Sequence, residues 1–282
     1  MTPRLLRSPS ARLFALLAAI LGLIAAHSPS ATAAVVYPSS MASTGDSITR
    51  AFNTGSDPFL DAPSNSWSTG SNSTVQSQYL RILANNPAIK DKNYNLARTG
   101  AKVQDLPDMA SAINLFQVEY VTILIGANDV CTSSESSMTS VDAFRAKFQE
   151  GMQRLASGTP NARIYVVSIP NVYNLWSVLK NNYAARATWS LVNICQSMLA
   201  NPGSTSQTDM ARRERVRQRN IDFNTVLQQV CAQYPQCRFD NNAVFNTVFT
   251  ASDVSTRDYF HPSIAGQAKL SNVAWQASGM AP

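Results

Sequence analysis

Val118–Ile125 reads Val-Glu-Tyr-Val-Thr-Ile-Leu-Ile, a run rich in β-branched residues and apolar at both alternating sets of positions. A strand with one wet face alternates apolar and polar residues. This one does not, so both of its faces must be covered, as in the middle of a parallel sheet. Ala162–Ile169 repeats the character until Pro170 stops it. Tyr37–Thr44, Asn93–Ala97 and Arg238–Asp240 are further candidate strands. Helical spacing lies between them, over Thr74–Leu83, Val141–Ala156, Ala184–Leu199, Gln207–Cys231 and Pro262–Ala277. Phe144, Phe148, Met152 and Leu155 share one face of the second, and Pro262 suits the first turn of the last. Strands separated by helices predict an α/β chain: one parallel sheet, covered on both faces, in three α/β/α layers.

The first residues predict a compartment. Arg4, Arg7 and Arg12 precede an apolar run from Leu13 to Ala26, and Ala31-Thr32-Ala33 is a small-x-small cleavage pattern. Residues 1–34 are therefore expected to be a secretory signal, removed after Ala33 or Ala34, and residues 35–282 one domain. The apolar run is shorter than the ~20 residues of a spanning helix, so no stable membrane insertion is expected. The leader carries three arginines and no acid, so the formal charge falls from +6 to +3 on its removal. That excess names no acidic partner. Ala211–Arg219 is basic enough to suggest nucleic acid. However, Val216, Phe223, Leu227 and Val230 recur at helical spacing, and no aromatic residue is interleaved to stack on bases. The arginines are expected to be the solvated face of an amphipathic helix, with no nucleic-acid partner.

Four cysteines in a secreted chain suggest two disulfides, with three possible pairings. Cys231 and Cys237 flank a helix end and turn, where a local bridge is plausible. Cys131 would then pair with Cys195.

Once the leader is gone, His27 goes with it and His261 is the one remaining histidine. That argues against a multi-histidine metal site, and no metal or organic cofactor is expected. It also makes His261 the candidate for any imidazole acid–base chemistry. Asp258 stands three residues before it, within hydrogen-bond reach of Nδ1, whereas Asp253 fits that spacing less well. Far upstream, Gly45-Asp46-Ser47-Ile48-Thr49 closes a strand. If that strand turns directly into a helix, the Ser47 hydroxyl sits at the sheet edge with helix-start amides beside it. Thr49 replaces the last glycine of Gly-x-Ser-x-Gly, so the nucleophile elbow of α/β-hydrolases is not matched. Gly126-Ala127-Asn128-Asp129 follows the best strand and offers a side-chain amide to an oxyanion. Asn95–Gly100 follows another strand, and its glycine lets a backbone N–H approach a substrate closely. Asp46 and Asp129 are expected to hold loops rather than act chemically.

Gly45-Asp46-Ser47, Asn95-x-Ala97-x-x-Gly100, Gly126-x-Asn128-Asp129 and Asp258-x-x-His261 together resemble the four sequence blocks of SGNH hydrolases, the GDSL esterases/lipases. They fall in order and cover nearly the whole mature chain. Cys131, just after the third block, is similar to secreted lipase and phospholipase B-like members. The resemblance implies a flavodoxin-like sandwich and a secreted esterase or lipase, a monomer, that cleaves carboxylic esters through an acyl-Ser47 intermediate. It implies Ser47 as nucleophile, His261 as base and Asp258 as its orienter. The backbone N–H groups of Ser47 and Gly100 and the Asn128 amide would form the oxyanion hole.

Other readings are weaker. Ser177-Val178-Leu179-Lys180 matches Ser-x-x-Lys, but Arg98-Thr99-Gly100 precedes it and no Ser-Asp-Asn accompanies them. No pair of carboxylates stands out for a glycosidase. A carbohydrate O-acetyl esterase shares the mechanism and differs only in the pocket. A silent binding protein on the same fold predicts a missing triad member. Phe52, Phe59, Leu60 and Trp67, in the polar stretch after Ser47, are candidates to line an acyl site, and Trp176 fits there or, at least as well, in the core.

Overall fold

The computed structural model describes Met1 and residues 35–281. The expected leader, residues 1–34, lies outside the described residues except for Met1, and so do its cleavage site and His27. Contacts divide the chain into Met1–Val35 and Val36–Pro282, and the sheet and its helices belong to the second unit.

Five short strands, β1 (Met41–Gly45), β2 (Asn93–Asn95), β3 (Tyr120–Leu124), β4 (Arg163–Val166) and β5 (Cys237–Phe239), form one sheet in the order β2-β1-β3-β4-β5. Every pairing is parallel. The order reverses beside β1, the position at which an open α/β sheet leaves a crevice beyond its strand ends. The helices are α1 (Gln78–Asn85), α2 (Leu106–Asn114), α3 (Ala127–Val130), α4 (Val141–Gly158), α5 (Val172–Leu179), α6 (Tyr183–Leu191), α7 (Gln196–Leu199), α8 (Gln207–Cys231), α9 (Ala243–Asn246) and α10 (Ile264–Ala277).

The period of two along each strand sorts its side chains into two cores. Ala42, Val121, Ile123, Ile164 and Val166 point to the side packed by Phe144, Phe148, Phe223 and Leu227 of α4 and α8. Met41, Tyr120, Leu124 and Tyr165 point to the other, against Tyr79 and Ile82 of α1 and Leu270 and Trp275 of α10. This is the three-layer sandwich, and β3 and β4 lie in its interior as their unbroken apolar runs required.

Several local expectations need correction. Ala184–Leu199 is not one helix: it breaks after Leu191, and Asn193 and Cys195 adopt left-handed φ values of 53° and 47° before α7 starts. Helix α5 had no counterpart among the expected elements, although Val172, Trp176 and Leu179 bury one face at i, i+4, i+7 spacing and Asn171 caps its start. The arginines of α8 are not uniformly solvated. Arg213 is fully buried, stacks 4.3 Å from the Trp176 ring, and donates to the carbonyls of Ser204 and Asn201. Buried Asn224 and Asn220 of the same helix satisfy the backbone leaving β4, at Ile169 and Val172, and so fix where α5 begins.

Disulfides join Cys131 to Cys195 and Cys231 to Cys237. The first ties the end of α3 to the turn before α7, where the Ser197 hydroxyl also donates to Val130 O at 2.7 Å.

Candidate active site

Strand β1 delivers Ser47 to the carboxyl edge of the sheet. Gly45 has φ +144°, and a Cβ there would sit 2.1 Å from the Leu124 carbonyl oxygen, so the approach of β1 to β3 needs glycine. The helix that would set its first amides beside Ser47 does not form. Residues 47–53 make tight turns instead, with Phe52 N donating to Ser47 O at 3.0 Å and Ala51 and Asn53 at positive φ. An α-helix cannot continue through left-handed residues. Gln267 of α10 secures this turn from below, donating to Ile48 O at 2.8 Å and accepting from Trp67 N at 2.9 Å.

Ser47 and His261 are 214 positions apart, yet the Ser47 hydroxyl lies 2.8 Å from His261 Nε2. His261 Nδ1 lies 2.7 Å from Asp258 Oδ2. The other Asp258 oxygen accepts the backbone amides of Phe260 and His261 at 2.9 and 3.0 Å. Burial pushes the Asp258 carboxyl up, but the His261 hydrogen bond and charge, with those two amides, outweigh it and hold it below its ordinary value. An ionised Asp258 can only accept, so Nδ1 carries the proton and Nε2 is left to accept from Ser47. The imidazole is flanked by Phe52 and Phe260, with centroids 4.9 and 5.0 Å away. Asp253 turns elsewhere, to Lys269 Nζ at 2.6 Å.

The loops around this trio are held by buried polar groups. Asn128, on α3, donates through Nδ2 to Ala101 O at 2.9 Å, next to Gly100. Arg98 N donates to Gly45 O at 3.0 Å and keeps the Gly100 turn beside the end of β1. Gly100 itself has φ +82° and is exposed, and it does not line the cleft onto which Ser47 opens. Asp129 accepts from Val103 N and from the Thr139 hydroxyl, and burial pushes it up to about 6. Asp46 accepts from Ile48 N through Oδ1, while its Oδ2 is buried without a partner, and burial pushes this carboxyl up to about 7.

Ser47, Asn128 and His261 open onto a cleft at the carboxyl edge of the sheet. Its apolar walls come from Val172, Leu175 and Val178 of α5 and from Phe249, Val254 and Phe260. None of the aromatic or aliphatic candidates for an acyl site lines it. Trp67 and Trp176 are core residues, Phe59 and Leu60 are exposed, and Phe52 packs on His261. The sequence reading also missed Asn53, whose Nδ2 donates to Asp258 Oδ2, because nothing in the local pattern links positions 205 apart. The α5 wall carried a signal, its helical spacing of apolar residues.

Residues 43–273 match the model of the family described as GDSL-like Lipase/Acylhydrolase. Among solved structures, the chain is similar to a candidate GDSL-like lipase from Parabacteroides merdae ATCC 43184, with 17% identity and a TM-score of 0.54 over 88% of this chain and 99% of that one. It is also similar to an extracellular lipase from Streptomyces rimosus, with 16% identity and a TM-score of 0.50 over 83% of this chain and 99% of that one. At these identities the likeness is one of fold. No curated protein matches the sequence.

Proposed function

The chain belongs to the GDSL-like lipase/acylhydrolase family and is a carboxylic ester hydrolase; from that premise we propose that Ser47, His261 and Asp258 carry the reaction and that the substrate's acyl chain lies in the α5 cleft. The single observation behind this reading is His261, bonded on one side to Ser47 and on the other to Asp258, at the mouth of an apolar cleft. Ser47 Oγ attacks the ester carbonyl carbon as its proton passes to His261 Nε2. Asp258 stabilises the imidazolium that results. Negative charge gathers on the former carbonyl oxygen, towards the Asn128 amide and the backbone N–H groups of Ser47 and Gly100. Collapse breaks the bond to the alcohol oxygen, which takes the proton from His261 and leaves acyl-Ser47. Water repeats the sequence and releases the acid.

The cleft walls favour an acyl chain over a bare acetyl group, since Leu175, Val178 and Phe249 would have nothing to cover in an acetyl ester. The protein is proposed to be secreted, with residues 1–34 removed. The disulfides Cys131–Cys195 and Cys231–Cys237 support an oxidising compartment.

Hydrolysis of p-nitrophenyl esters from acetate to palmitate, by the secreted protein and by Ser47→Ala, tests the reading. Turnover that rises beyond acetate and disappears in the variant is expected. A preference for acetate, extending to acetylated polysaccharide, would favour a carbohydrate O-acetyl esterase. No turnover by folded protein would leave a pocket closed to these esters or a binding protein on this scaffold. Mass spectrometry of the secreted N-terminus checks removal of the leader.

A further inference from the structure

Large apolar side chains exposed to solvent are concentrated around the cleft. Phe59, Leu60, Tyr183, Leu191, Val192 and Val248 are 54–84% exposed. Apart from these, the exposed large hydrophobics among the described residues are Leu115 and Phe116, at the opposite edge of the sheet where the chain enters β3, and the N-terminal Met1, Val35 and Val36. The six sit on three separate segments, each fastened to the catalytic trio or to the cleft. Phe59 N donates to Asn53 Oδ1, and Asn53 N donates to Leu60 O, while the Asn53 side chain holds Asp258. Helix α6 carries Tyr183 and Leu191 and is pinned by Trp189 Nε1, which donates to Tyr259 O at 2.9 Å, two residues before His261. Val248 precedes Phe249, which lines the cleft. Keeping so many apolar groups in water on segments tied to one site costs free energy, and exposed apolar groups gathered in this way mark a binding surface.

The charges on the same segments are one-sided. Residues 172–199 contain Lys180 and Arg186 and no acid; Lys180 Nζ lies 4.7 Å over the Trp176 ring, and Arg186 is the exposed cation. Asp61 is paired with Arg50, and Asp253 with Lys269. Arg257 donates to the carbonyls of Asp57 and Ser56 at 2.7 and 2.8 Å, so its charge stays unneutralised by any carboxylate in that contact. Asp57 is the one acid on the loop left to oppose these cations. A rim of exposed apolar residues with scattered cations is the complement of an anionic lipid interface, where apolar groups enter the acyl boundary and cations meet headgroups.

We infer that the rim formed by the 53–61 loop, α6 and Val248 docks the protein on an anionic phospholipid surface and presents the cleft to it. The inference rests on the esterase reading only for what the cleft does once presented; docking itself is a property of the rim. Trp189 then serves to keep α6 in step with the His261 segment, so that docking and substrate access occur on one face.

The test is flotation of the secreted Ser47→Ala protein with vesicles of phosphatidylcholine containing roughly one-third phosphatidylglycerol. It is compared with the same protein carrying Tyr183→Glu and Leu191→Glu, so that any leader retained contributes equally to both. Partitioning of the parent, weakened by salt and reduced about tenfold or more in the double variant, is expected. In the active background the double variant should hydrolyse soluble p-nitrophenyl butyrate at the parental rate, which also reports its folding. Should it not fold, Leu60→Ser with Val248→Ser supplies the comparison. Equal partitioning of parent and variant, no partitioning of the parent, or equal binding to pure phosphatidylcholine would overturn the inference. Self-association abolished by the double variant, without vesicle binding, would assign the rim to a second copy and overturn it too. Loss of soluble-ester turnover in the parent would count against the esterase reading alone, since vesicle binding is measured without turnover.

Discussion

Asn53 Nδ2 donates to Asp258 Oδ2, the same oxygen that accepts the His261 Nδ1 proton. Its own Oδ1 accepts from Phe59 N at 2.6 Å, which settles the orientation of the amide. The loop after the proposed nucleophile therefore positions the orienter of the base. Asn53→Ala should free the Asp258 carboxylate to turn, lowering kcat about tenfold, equivalent to ~1.4 kcal/mol, with little change in KM. Asn53→Asp should be worse, because it sets two carboxylates against each other. Steady-state kinetics on a soluble ester read both. Equal kcat in Asn53→Ala and parent would reduce the bond to a structural one.

The roles proposed for Asp258 and Asn128 separate in the same assay. Asp258→Asn keeps the shape but presents an amide to Nδ1, which favours the wrong imidazole tautomer. A fall of about 10⁴ in kcat is expected. Asn128→Ala should cost about 10²–10³ in kcat, the usual loss for one oxyanion donor. A fall confined to KM would place Asn128 in binding instead.

What the sequence disclosed follows the range of the interaction that fixes each feature. Val118–Ile125 and Ala162–Ile169 announced central strands because burial on both faces leaves a continuous apolar run, and helix α8 matched its expected limits because its spacing is regular. Fourfold motif order was enough to nominate Ser47, Asn128, Asp258 and His261. The tight turn after Ser47 was not legible, because its left-handed Asn53 is held by Asp258, far along the chain. The break before α7 has a similar cause, since Cys195 is drawn to Cys131. Trp67 was misplaced in the acyl site, and Trp176 stayed undecided between core and pocket, because a large aromatic reads alike in both. Only packing distinguishes the two.

Asp46 makes stability depend on pH in a defined direction. Its carboxyl ionises near its ordinary value when unfolded and only at about 7 when folded, because burial leaves Oδ2 without a partner. Between those values the folded state holds the extra proton, so stability falls as pH rises through the window and levels off above it. The slope contributed by one group is at most about 1.4 kcal/mol per pH unit. Asp46→Asn keeps an acceptor for Ile48 N and cannot ionise. The variant should gain on the parent between pH 4 and pH 7, roughly the interval between the two ionisations. Urea denaturation at several pH values measures the difference, and parallel stability curves for the two proteins would remove Asp46 from the account.

The two disulfides should differ in both energy and consequence. Cys131–Cys195 closes a span of 64 residues and Cys231–Cys237 a span of 6. By loop-closure entropy their removal should cost about 4 and about 2 kcal/mol respectively. The larger loss also falls on the proposed oxyanion donor. Cys131 follows α3 directly, and Ser197, two residues after Cys195, holds Val130 O and Thr132 N. The Cys131→Ser, Cys195→Ser pair should therefore lower kcat even where the protein remains folded, whereas Cys231→Ser, Cys237→Ser should lower stability alone. Kinetics at a temperature well below both unfolding midpoints separate the effects. A kcat unchanged in the first pair would mean that the hydrogen bonds from Ser197 and Asn128 suffice to hold α3 against the Gly100 turn.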